Sequence, residues 1–193
     1  MSAIERIRRE RLVAVLRRVD DVDARVAALA GAGVGVVEIT LDDPDGLAAI
    51  ERACGRGDVT VLAGTVRRVA QVDAAVAAGA AAVVSPGFLP AVVERAAELG
   101  VPAIPGALTP TEVDAAWSSG AAMVKLFPAG LGGPRYVRDV LAPLPDVPLL
   151  ATGGVDASNA RAFLDAGAVA VGVGSALDDP DEARRLVSVL MGV

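Results

Sequence analysis

The chain has 193 residues, 53% of them apolar, 3% aromatic and 22% charged, with a formal net charge of -6. That is enough for one globular domain, expected over residues 1–193, whose core is assembled from small aliphatic side chains. The acidic balance argues against nucleic acid as a partner, no apolar run reaches the roughly 18 residues of a membrane span, and the charged N-terminus lacks a stretch of signal-peptide type, so a soluble cytoplasmic protein is expected.

In chain order, short Val-rich apolar runs at 12–16, 34–39, 59–63, 81–84, 101–104, 122–126, 148–151 and 168–173 predict strands buried on both faces. Amphipathic stretches between them, such as 22–32, 70–78, 91–99 and 159–166, predict helices. Gly33, Gly79, Gly100, Gly120 and Gly167 stand where a left-handed helix C-cap is needed just before a strand. Thr109-Pro110 marks a helix start, as does Asp156 or Ser158 as an N-cap. Eight strands each followed by a helix predict a compact single-domain (β/α)8 barrel. The rival is an open doubly wound sheet, but the first strand-to-helix turn, Arg17-Arg18-Val19-Asp20, has no glycine fingerprint.

The chemistry open to the chain is narrow. It has no histidine, which removes imidazole as proton carrier and the usual zinc sites, and its one cysteine, Cys54, cannot form an intrachain disulfide or a cysteine-based metal site. Cys54 reads as a helix residue and Trp117 as packing on a helix face. Among 18 basic residues the sole lysine is Lys125, inside the apolar run at 122–126.

A barrel places its active site at the C-terminal ends of the strands. Those ends carry Arg17, Glu38 with Thr40, Gly64-Thr65, Ser85-Pro86-Gly87, Pro105-Gly106, Lys125, Thr152-Gly153-Gly154 and Gly174-Ser175. Lys125 reads as a Schiff-base nucleophile, because an amine in an apolar strand keeps its lone pair available; the other reading is an ion-paired or snorkelling lysine. Glu38 suits general acid and base work, or is a structural partner for Arg17 or Lys125. Arg17 could clamp a carboxylate through two parallel hydrogen bonds, or be a surface arginine. The turns Gly153-Gly154 and Gly172-Val173-Gly174-Ser175 could hold a phosphate on backbone N–H groups and helix N-termini, or be tight turns only.

Taken together, Val15-Leu16-Arg17, Val37-Glu38-Ile39-Thr40, Ala63-Gly64-Thr65-Val66, Ser85-Pro86-Gly87, Pro105-Gly106, Thr109-Pro110-Thr111-Glu112, Val124-Lys125-Leu126-Phe127-Pro128, Thr152-Gly153-Gly154-Val155 and Val171-Gly172-Val173-Gly174-Ser175-Ala176 resemble the 2-keto-3-deoxy-6-phosphogluconate (KDPG) and 4-hydroxy-2-oxoglutarate (KHG) aldolases over nearly the whole chain. The resemblance implies a homotrimeric class I aldolase that needs no metal and no cofactor. Its partners would be pyruvate and a phosphorylated 2-keto-3-deoxy sugar acid. It implies that Lys125 forms the imine, Glu38 moves protons, and Arg17 and Thr65 hold the pyruvate carboxylate. Pro86, Phe127, Pro128 and Thr152 would wall the pocket, and Thr152 would also join Gly153, Gly154, Gly174 and Ser175 around the distal phosphate. One position departs: some members carry an arginine four residues beyond the catalytic glutamate, where this chain has Asp42. Other members place the arginine after the first strand, and galactonate-type aldolases also lack the later one. The implied reaction is therefore cleavage of KDPG to pyruvate and glyceraldehyde 3-phosphate. The alternatives are the galactonate epimer, 4-hydroxy-2-oxoglutarate, an unphosphorylated sugar acid, or a non-catalytic assembly subunit.

Overall fold

The computed structural model describes residues 1–18 and 20–191; Val19, in the first strand-to-helix turn, and residues 192–193, at the end of the expected domain, lie outside it. The first element is α1 (Ala3–Glu10), which no apolar run announces. Ser2 and Glu5 start it as a capping box: Ser2 Oγ accepts from the Glu5 N–H and the Glu5 carboxylate accepts from the Ser2 N–H. Ala3 and Ile7, one turn apart, are then buried together with the barrel interior. Arg6 donates to Thr60 Oγ1 and the Asp58 carbonyl, while Glu10 accepts from the Gly35 N–H, so the helix lies across the N-terminal ends of the strands.

The strands are β1 (Leu12–Leu16), β2 (Val36–Thr40), β3 (Thr60–Gly64), β4 (Ala82–Val84), β5 (Ala103–Ile104), β6 (Gly106–Ala107), β7 (Val124–Leu126), β8 (Leu149–Thr152) and β9 (Ala170–Val173). All are parallel, in the order β5-β4-β3-β2-β1-β9-β8-β7-β6. The flanking helices are α2 (Val22–Gly31), α3 (Gly46–Arg56), α4 (Val69–Ala77), α5 (Pro90–Glu98), α6 (Pro110–Ser118), α7 (Gly133–Leu141), α8 (Ala160–Asp165) and α9 (Pro180–Met191). This is a (β/α)8 barrel, because β5 and β6 are one barrel strand interrupted at Pro105, which has no N–H to give the ladder. Pro105-Gly106 therefore lies within the fifth strand rather than after it, contrary to the sequence expectation. The strand closes the barrel from both sides. The Pro102 and Ile104 carbonyls accept from Val83 and Ser85, and the Ala103, Pro105 and Ala107 carbonyls accept from Ala122, Lys125 and Phe127.

Period-two alternation divides the core. Val13, Val36, Leu62, Ile104, Met123 and Leu150 fill the barrel with Ile7 beneath them, whereas Leu12, Val37, Ile39, Val61, Leu149 and Val171 pack against the helices. Cys54 lies on α3, and Trp117 is half-buried on α6. The expected C-cap glycines all have positive φ, and Thr109 caps α6 through a second box with Glu112. The start of α8 differs from expectation. Its N-cap is Asn159, while Asp156 organises the preceding turn by accepting from the Ser158 N–H and hydroxyl, so the short polar side chains there bond one another instead of the helix. Among the described residues no helix is long and apolar enough to cross a membrane.

Candidate active site

Glu38 sits in the middle of β2 with Val36 one inward step below it, so alternation aims its carboxylate into the barrel. Lys125 does the same in β7 above Met123, and its backbone N–H is fixed by the Pro105 carbonyl at 2.9 Å. The two side chains meet: Nζ lies 3.1 Å from Oε1 and 3.2 Å from Oε2 of Glu38. Lys125 is 5% exposed and Glu38 is fully buried. Removing two charges from water costs several kcal/mol per ion unless they pair closely, so each holds the other in its buried position. Gly64 makes the room: a Cβ there would stand 2.4 Å from Glu38 Oε1.

A cleft of about 420 Å³ opens above the pair, lined by Arg17, Lys125, Phe127, Thr152, Gly153, Gly174, Ser175 and Asp178, with Val15 and Leu16. The Phe127 ring centroid is 5.7 Å from Nζ, within cation–π range. Thr152 is buried, and its Oγ1 has no hydrogen-bond partner among the described residues. On the rim, Arg17 Nη2 donates to Thr65 Oγ1 at 3.3 Å. Thr65 is a non-glycine residue at φ 57°, a left-handed conformation that costs of order 1 kcal/mol or more and recurs at functional sites. Asp42 faces Arg17 at 3.9 Å and Arg18 at 3.6 Å. Burial pushes the Asp42 carboxyl up, but the Thr40 hydroxyl and the two arginines outweigh it and hold it below its ordinary value.

Of the residues expected from sequence, Arg17, Lys125, Phe127, Thr152, Gly153, Gly174 and Ser175 line one cleft, with Glu38 on Lys125 and Thr65 on Arg17. Pro128 stands just behind, against Gly153. Pro86 and Gly154 do not line the cleft; the Pro86 carbonyl packs on Gly106, and the Gly154 carbonyl accepts from the Asn159 side chain. The helix N-termini expected to help hold an anion are slight. A six-residue α8 follows β8, and only a 3₁₀ turn, Ser175–Leu177, follows β9. Asp178 was missed, since nothing in Leu177-Asp178-Asp179 distinguishes a cleft residue from a solvated one.

A buried lysine hydrogen-bonded to a carboxylate at the C-terminal mouth of a (β/α)8 barrel is the equipment of a lyase of the class I aldolase type. A family model, "KDPG and KHG aldolase", matches residues 3–186. The 2-dehydro-3-deoxy-6-phosphogalactonate aldolase of Escherichia coli (strain K12) is 37% identical over 172 residues, covering 86% of this chain and 83% of that protein. The 2-dehydro-3-deoxy-phosphogluconate aldolase of Treponema pallidum (strain Nichols) is 39% identical over 167 residues, covering 84% and 78%. Among solved structures, KDPG aldolase from Legionella pneumophila, with pyruvate captured as a covalent carbinolamine intermediate, superposes with a TM-score of 0.85 at 25% identity, over 100% of this chain and 98% of that one. The chain belongs to the KDPG and KHG aldolase family; it is an aldolase.

Proposed function

We propose that the protein reversibly cleaves KDPG to pyruvate and glyceraldehyde 3-phosphate, with Lys125 as the covalent centre. The observation that carries this is the 3.1 Å contact between the sole lysine and a fully buried carboxylate at the floor of the cleft. At that distance Glu38 takes the ammonium proton, and the freed Nζ attacks the C2 carbonyl. Glu38 returns the proton to the carbinolamine hydroxyl, which leaves as water. In the resulting iminium, Glu38 removes the C4 hydroxyl proton and the C3–C4 bond breaks, its electron pair moving to nitrogen through the enamine. The aldehyde departs, Glu38 protonates the enamine carbon, and water hydrolyses the iminium to pyruvate and free Lys125.

In this reading Arg17 and Thr65 hold the substrate carboxylate, Thr152 offers its hydroxyl to the sugar chain, and Phe127 with Pro128 behind it is the apolar wall. The glycines at 153 and 174 with Ser175 leave the mouth of β8 and β9 open to a distal phosphate on backbone N–H groups. Cleavage of the galactonate epimer is a second reading, favoured by Arg17 with Asp42 in place of the later arginine and by the Escherichia coli galactonate aldolase among the relatives. A homotrimer follows from the family resemblance, and light scattering should return three chain masses.

Borohydride reduction in the presence of pyruvate should add one pyruvyl group per chain, on the peptide containing Lys125. An unmodified protein, or label only at the N-terminal amine, overturns the reading. A coupled retro-aldol assay with both phosphorylated epimers then assigns the stereochemistry.

A further inference from the structure

Asp178 follows the 3₁₀ turn Ser175–Leu177 and stands on the same wall as Gly174 and Ser175. Among the described residues it is the only acidic one lining the cleft, and 73% of its side chain is exposed. A bare carboxylate there opposes any dianion drawn to the mouth of β8 and β9. Among the described residues its charge is met by one group, reaching it from α2. Arg25 Nη1 donates to the Asp178 carbonyl at 2.9 Å and Nη2 donates to the carboxylate. The Arg25 side chain is only 15% exposed, and its buried Nε has no hydrogen-bond partner among the described residues. A guanidinium so far removed from water, with both of its hydrogen bonds to described residues ending on Asp178, is committed to that residue.

We propose that Arg25, itself outside the cleft, is a positioning residue for substrate specificity: by neutralising and holding Asp178 it makes the distal end of the cleft permissive to a phosphate dianion. The inference rests on the phosphate reading above. It differs from a structural role of the same pair because its effect is electrostatic, confined to one end of the substrate and screened by salt.

The test compares a phosphorylated 2-keto-3-deoxy sugar acid with its unphosphorylated counterpart. Arg25→Met should lower kcat/KM for the phosphorylated substrate by about 10-fold or more, mainly through KM, while the unphosphorylated one changes by less than about twofold. The defect should shrink as salt rises from about 0.05 to about 0.5 M. Adding Asp178→Asn to Arg25→Met should restore the phosphorylated substrate, and Arg25→Lys should keep most of its rate. If the methionine variant does not fold, Arg25→Gln makes the same comparison with a polar side chain. Equal losses on both substrates, or no recovery in the double variant, overturn the inference. A wild type with no phosphate preference overturns the phosphate reading and this inference with it, whereas a preference surviving Arg25→Met overturns this inference alone.

Discussion

Glu38 divides two jobs that are easily confused, placing Lys125 and moving protons. Glu38→Gln keeps the shape and a hydrogen-bond partner for Nζ but cannot carry a proton. Aldol turnover should fall by about 100-fold or more while some pyruvate is still trapped on reduction, checked by parallel rate and mass measurements. Arg17→Met should weaken pyruvate by about 2 to 3 kcal/mol, read from inhibition or trapping curves, and Arg18→Met far less, since only Arg17 reaches Thr65. Gly64→Ala should be nearly as damaging as loss of Glu38, because its methyl group falls on the carboxylate and both chains are strands that cannot shift independently. Lys125 was legible because it is the sole lysine and lies in an apolar run, and Glu38 because a charge between Val37 and Ile39 needs a partner. Their mutual contact was legible only as one of two options, Arg17 or Lys125 as partner of Glu38, since 87 residues separate them and barrel closure, which brings β2 and β7 face to face, decides between the two. Gly64 was not legible as more than a strand-end residue: the side chain it makes room for belongs to a neighbouring strand.

At the scale of elements, hydrophobic period recovered every strand but the fifth to within two residues at each end, because barrel strands are buried on both faces and stand out as apolar runs, and glycines marked the turns that close five of the helices. It passed over α1, whose five arginine and glutamate residues mask a stripe of only Ala3, Ile4 and Ile7; the capping pair Ser2 and Glu5 was the readable sign. It also placed the end of the fifth strand too early, at a proline that interrupts the ladder without ending the strand. α1 plugs the barrel through Ile7, which is fully buried, so Ile7→Ala should cost about 2 to 4 kcal/mol in urea unfolding. The start of α6 carries a pH signature. The Thr109 and Leu108 backbone N–H groups hold the Glu112 carboxyl below its ordinary value. A folded-state value that is depressed gives stability present above the unfolded value and lost as pH falls through the folded one. Glu112→Gln should therefore flatten the acid side of the stability profile, measured as urea midpoints below about pH 5.

For the whole molecule the distinguishing feature is how the barrel shuts. β2 and β3 share five registered pairs, whereas β5 meets β4, and β6 meets β7, through two each. Backbone amides of the chain around Pro105 should accordingly exchange with deuterium faster than those of Val37 to Ile39, measured by mass spectrometry on the native protein. Yet this short strand completes the circle, its successive carbonyls accepting alternately from one neighbour and the other. A sheet closed in this way offers no edge. An open sheet of the same strands would present a row of free backbone donors and acceptors to any passing extended chain, inviting strand addition and fibrillar aggregation. Here that route is shut while the barrel is intact, so contacts between copies have to be made by helix faces and loops. The first opening to permit edge-to-edge growth would come at the proline seam.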